Sequence, residues 1–125
     1  MKVKRVFGVV IVFLIIILGC ESKKIAAVPD NLIGVWGTSN PKYADRIFEI
    51  TRNEVIFQTG EKTFNTCPII SIEMEKTQGQ NPLYTINYKN QEGLKYKFIF
   101  YHDPEGIGAI RFKNQQEITW TKEKK

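Results

Sequence analysis

Side chains able to do chemistry are few in this chain and widely spaced. Beyond position 20 there is one histidine, His102, one cysteine, Cys67, and three aspartates, Asp30, Asp45 and Asp103. A nucleophilic site would have to pair His102 with Cys67 or with a serine, and no nucleophile elbow or comparable context surrounds any of them. His102-Asp103-Pro104-Glu105 offers an imidazole and two carboxylates, donors that suit a metal ion. Three donors in four residues across a turn seldom converge and no second cluster completes them, so a strand end entering a hairpin is expected and no metal site. Glu73 and Glu75 stand two apart, which places both carboxylates on one face of a strand, where a pair could do acid-base work. The opposite face of that segment is apolar, so a solvated outer surface is expected there. Cys67 precedes Pro68 beside an apolar segment and reads as a buried, inert thiol, with an intermolecular disulfide as the alternative in an oxidising location. No catalytic residue and no cofactor follow from this inventory, and a non-enzymatic protein is expected.

The elements that would hold these residues are strands. From Leu32 onward no window carries a 3.6-residue apolar stripe, whereas period-two alternation recurs. Tyr84, Ile86 and Tyr88 alternate with Thr85, Asn87 and Lys89; Tyr96, Phe98 and Phe100 with Lys95, Lys97 and Ile99; Ile70, Ile72 and Met74 with Ser71, Glu73 and Glu75. Phe48 and Ile50 precede a turn at Arg52-Asn53, and Val55 and Phe57 resume the pattern. Closing strands are expected at Ala109 to Phe112 and Glu117 to Thr121. Turn chemistry marks Gln58-Thr59-Gly60, Gln78-Gly79-Gln80-Asn81, Asn90-Gln91-Glu92-Gly93 and Asp103-Pro104-Glu105-Gly106. Tyr88-Lys89-Asn90-Gln91 is echoed by Phe112-Lys113-Asn114-Gln115, each where a strand runs into a turn; two copies indicate shared hairpin chemistry rather than a repeat.

About eight strands on short connections predict an all-β, antiparallel up-and-down meander, which loses its exposed edges most simply by closing into a barrel. Ten rings, those of Trp36, Phe48, Phe57, Tyr84, Tyr88, Tyr96, Phe98, Phe100, Phe112 and Trp120, fall on faces assigned inward. An eight-stranded barrel is just wide enough to be filled by side chains or to hold one small ligand. Filling is the expectation from so many rings. Should a cavity exist, it is apolar, with Trp36 and the hydroxyls of Tyr84, Tyr88 and Tyr96 as its contacts.

Lys2, Lys4 and Arg5 precede an apolar run from Phe7 to Leu18, interrupted only by Gly8. A bilayer-spanning helix needs about twenty apolar residues, so this run has the length of a signal-peptide core instead. It ends in Ile17-Leu18-Gly19-Cys20, followed by polar Glu21-Ser22-Lys23-Lys24. That tetrad resembles the lipobox of bacterial lipoproteins. The resemblance implies cleavage before Cys20, attachment of diacylglycerol to its thiol, and stable anchoring to a membrane of the cell envelope, because two or three acyl chains exceed the two-signal threshold. Glu21 does not match the aspartate that favours inner-membrane retention in enteric-type bacteria. The periplasmic face of the outer membrane is therefore the expected location where the organism has one.

The leader also accounts for part of the basic balance. The whole chain carries eighteen basic and thirteen acidic residues, a net charge of +5. Three of the basic ones precede the cut, so fifteen face thirteen and the mature balance is +2, which is no nucleic-acid footprint. The expected organisation is a signal-peptide helix over 1–19, a lipidated N-terminus and tether over 20–31, a barrel domain over 32–121, and a solvated basic tail over 122–125.

The opening strand Leu32-Ile33-Gly34-Val35-Trp36-Gly37 contains Gly-x-Trp and resembles the first strand of lipocalin-type barrels, where the tryptophan plugs the closed end. In that family an arginine from a late strand packs over the tryptophan, and Arg111 is the candidate. About ninety residues are too few for a full-length lipocalin, so the likeness is one of architecture. It implies a binding domain for a small apolar ligand. The alternative is a filled barrel that binds an envelope protein, similar to the lysozyme inhibitors that are also small eight-stranded lipoproteins, although those carry a disulfide that Cys67 alone cannot form.

Overall fold

Residues that alternate along the sequence take opposite faces of one continuous sheet. The computed structural model describes residues 22–76 and 78–123; the expected signal peptide, Cys20 and the last two lysines lie outside them. Nine strands follow in order: β1 (Lys23–Ile25), β2 (Gly34–Gly37), β3 (Ile47–Ile50), β4 (Glu54–Gly60), β5 (Thr63–Glu75), β6 (Leu83–Lys89), β7 (Lys95–Asp103), β8 (Ala109–Phe112) and β9 (Gln115–Lys122). Two single-turn 3-10 helices, Asp30–Leu32 and Pro41–Tyr43, precede and follow β2.

From β2 to β9 each strand pairs antiparallel with the next, and β9 pairs back on β2, with Trp36 opposite Lys122 and Gly37 opposite Thr121. The result is the expected closed, eight-stranded, up-and-down barrel. The β3–β4, β5–β6 and β7–β8 connections lie at one end. The β2–β3, β4–β5, β6–β7 and β8–β9 connections lie at the other.

The first end is filled. Leu32, Trp36, Ile50, Val55, Ile86, Phe100, His102 and Ile110 are fully buried there and beside it. Trp36 Nε1 donates to the Leu32 carbonyl at 3.0 Å, so the plug buries its ring without leaving its one polar atom unpaired. The basic residue over that ring is Lys122, whose Nζ stands 5.4 Å from the ring centroid. Arg111, the candidate from the sequence, pairs with Tyr101 between β8 and β7 and lines an outer groove with Gln80 and Gln116. Parity decides this: Ile110 faces the core, so its neighbour faces out.

Several expectations from the sequence are corrected. The segment taken as a tether joins the fold, because Lys23, Lys24 and Ile25 pair with Met74, Glu73 and Ile72 of β5, and Val28 is buried. A strand of three residues is too short to show periodicity, and the one apolar contact after it falls in a stretch with no pattern. Lys122 closes β9 rather than opening a tail. The turn expected at Gln58-Thr59-Gly60 falls at Glu61-Lys62, with Gly60 opposite Thr63. β5 therefore runs thirteen residues, long enough to pair with β4 through its first half and with both β6 and β1 through its second. Between Ile69 and Ser71 its register shifts, and this bulge inserts one residue and turns Ile70 outward, 47% exposed, while Ile72 points in.

Candidate functional site

At the second end the rings pack on one another without filling the barrel, and an open cavity of about 650 Å³ remains. Its floor and walls are Phe48, Phe57, Tyr88, Phe98, Phe112 and Trp120. These rings are locked to one another: Phe48 meets Phe98 at 5.2 Å, Phe112 at 5.7 Å and Trp120 at 5.3 Å, and Phe112 stacks on Trp120 at 5.2 Å. Each lies within the 4.5–7 Å range in which aromatic pairs attract. The cavity is thus walled by a preformed cluster rather than by loose side chains.

Polar groups ring the mouth. Pro41–Tyr43 forms its turn because Asn40 Oδ1 accepts from the Lys42 amide at 2.9 Å, and the turn brings Tyr43 over the edge, where its hydroxyl accepts from Gln115 Nε2 at 3.0 Å. Gln58, Asn65 and Asn114 stand at the rim with the basic residues Arg46, Lys97 and Lys113. A second, more polar recess of about 360 Å³ adjoins it, sharing Phe57, Asn65 and Tyr88 and adding Cys67, Asn90, Glu92 and Tyr96. The two echoed segments, Tyr88 to Gln91 and Phe112 to Gln115, both sit at this end and contribute a ring each to the cavity.

The four residues expected to contact a ligand are divided by the structure. Tyr88 lines the cavity and the recess. Tyr96 stacks on Tyr88 at 5.9 Å but is 46% exposed at the rim, a correction to its inward assignment; it lies beyond Phe98, the last buried residue toward that end of β7. Trp36 and Tyr84 belong to the filled half, where Tyr84 stacks on Phe100 at 5.8 Å, and line neither space. The remaining expected site, the lipidated Cys20, is outside the described residues. Sequence reasoning missed Tyr43, Arg46, Asn65 and Gln115, since a residue in a turn or near a strand end gives no sign that it borders a cavity.

Burial sets the charge states. It raises the Tyr88 hydroxyl above its ordinary range, with Cys67 and Tyr96 adding to the shift, and it raises Tyr84 as well. Both stay neutral at physiological pH and can donate a hydrogen bond. It also raises the Cys67 thiol, whose Sγ lies 3.9 Å from the Asn65 carbonyl. His102 is 1% exposed, edge-on to Trp36 at 6.0 Å and Tyr84 at 6.2 Å, and is lowered by burial first and then by Lys122, against a smaller opposite effect of Asp103. Among the described residues, His102 Nε2 and Trp120 Nε1 are the buried side-chain polar atoms without a partner.

His102, Asp103 and Glu105 do not converge: the imidazole is buried in the core, while Asp103 Oδ1 accepts from the Glu105 amide at 3.0 Å in the turn. Among the described residues no three His, Cys, Asp or Glu side chains gather as metal ligands. Glu73 is held below the usual carboxylate range, first by the hydrogen bond from Asn87 Nδ2 at 2.8 Å, with smaller help from Ser22, Lys97 and Lys24 against the opposing effect of burial.

Fold and cavity together define a closed antiparallel β-barrel with one plugged end and one open, aromatic-walled end, an architecture compatible with a binding domain. Comparison with known protein families, with curated proteins and with solved structures yields no match to this chain.

Proposed function

We propose that this chain is a membrane-anchored lipoprotein of the cell envelope whose barrel binds one small, mainly apolar ligand without transforming it. The observation that carries the proposal is the cavity: at about 650 Å³ it lies within the 300–1,000 Å³ typical of small-molecule sites. Six rings supply the apolar wall, and the rim offers a few hydrogen-bonding groups, Tyr88, Asn65 and Gln115 among them, to orient an occupant. Both features favour a ligand-binding barrel over a filled one that acts through its outer surface. The lipobox at Ile17 to Cys20 supports the anchored location.

Binding is tested by titrating the protein with 1-aminoanthracene, a small apolar fluorophore, and exciting the tryptophans. Saturable energy transfer at one site per chain is expected, weakened at least tenfold by Asn65→Trp, which puts an indole into the mouth. Transfer that never saturates, or that Asn65→Trp leaves unchanged, overturns the assignment of this cavity.

A further inference from the structure

The N-terminal strand and the mouth of the cavity lie at opposite ends of the barrel. β1 runs antiparallel to the last part of β5, with Lys23 opposite Met74, one residue before β5 ends at the plugged end. Ser22 Oγ donates to Glu73 Oε1 at 3.2 Å, which ties down the residue before the strand. Ile25 packs on the core and Val28 and Leu32 are buried within it, so the chain is held from its first described residues onward. Cys20 precedes Lys23 by three residues, a span of at most about 10 Å. The nine residues of β7 rise about 30 Å along the strand, or about 20 Å along an axis tilted at barrel angles.

We infer that the plugged end is the face turned to the anchoring membrane and that the cavity opens away from it. The inference rests on the lipid anchor at Cys20. Given that anchor, a tether of about 10 Å cannot carry the mouth, some 20 Å up the barrel wall, down to the same bilayer while β1 stays paired. At the plugged end the β7–β8 loop presents an apolar contact, Ile107, 59% exposed, and the charges there are mixed, Lys23, Lys24 and Lys76 standing with Glu75, Asp103 and Glu105. Ligand would then enter from the aqueous side and not by lateral escape from the lipids that hold the protein. One observation argues for the reverse orientation: Phe64, Leu94 and Tyr96 are about half exposed at the mouth end. They make the experiment decisive.

The full-length, lipidated protein is reconstituted in phosphatidylcholine–phosphatidylglycerol vesicles containing a headgroup nitroxide lipid. A fluorophore is placed on Gln80→Cys at the plugged end or on Glu61→Cys at the mouth, each in a Cys67→Ser background so that Cys67, which lines the recess, takes no label. Quenching at position 80 at least threefold greater than at position 61 is expected. Equal quenching, or stronger quenching at 61, overturns the orientation and assigns the membrane contact to Phe64, Leu94 and Tyr96. Flotation of the vesicles separates the two premises: protein that fails to float with them refutes the anchor at Cys20, whereas protein that floats with its mouth quenched refutes the orientation alone.

Discussion

His102 sits where an ionised imidazole has no partner, between Trp36 and Tyr84 and within reach of the Lys122 charge. Its folded-state pKa is lowered, so the unfolded chain binds the proton more readily than the folded one. Stability contributed by the neutral ring is therefore complete above the unfolded value of about 6.5 and is lost as pH falls from there toward the lower folded value. Urea unfolding at pH 7.5 and pH 5 should show this loss, and His102→Phe should remove most of the difference between the two. An unchanged difference would show that other groups set the acid limit.

Gly108 lies against the same ring. Its φ of +88° disfavours any side chain, and an added Cβ would come within 3.4 Å of His102 Nε2 and of the Trp36 ring. Gly108→Ala should cost about 1–3 kcal/mol, measured as a shift of the urea midpoint. Cys67 gives a third expectation at this scale. Its thiol is buried and raised in pKa, so Ellman's reagent should find it unreactive in the folded protein and react with it only after unfolding.

Among the elements, β1 separates the structure most sharply from the sequence. A free tether would lose nothing if Val28 were truncated. In the barrel Val28 is 4% exposed, and Val28→Ala should destabilise it by about 2 kcal/mol. Amides of Lys23 to Ile25 paired on β5 should also exchange with solvent more slowly than those of an unpaired segment. What was legible is consistent with this. β3, β6 and β8 follow from alternation because one face of each meets the core and the other meets water. What was illegible depends on partners distant in the chain: a three-residue edge strand, the bulge that turns Ile70 outward, and the shift of a turn from Gly60 to Glu61-Lys62. None of these leaves a periodic trace.

For the molecule as a whole, the sequence specified enough rings to fill a barrel but not where they gather. Trp36, Tyr84, Phe100 and His102 pack one end, and Phe48, Phe98, Phe112 and Trp120 line the other without closing it. A count of rings cannot separate these outcomes, because the room at the mouth is set by polar positions such as Asn65 and Gln115 that take the place of larger side chains there. One end is plugged and the other is left open, and the open end is the room that the proposed ligand would occupy. Phe98→Ala should enlarge the cavity at a cost of about 3–5 kcal/mol, whereas Tyr96→Ala at the rim should cost under about 1 kcal/mol, the two compared by thermal unfolding.

The central claim is that the open end holds a small apolar molecule. Native mass spectrometry of the full-length protein, purified from the membranes of an expressing bacterium and released from a detergent micelle, tests it most directly. The account predicts a population carrying one additional small molecule that is not the detergent, absent from Asn65→Trp prepared in the same way. Only the mass of the chain without a ligand, in wild type and variant alike, would contradict it.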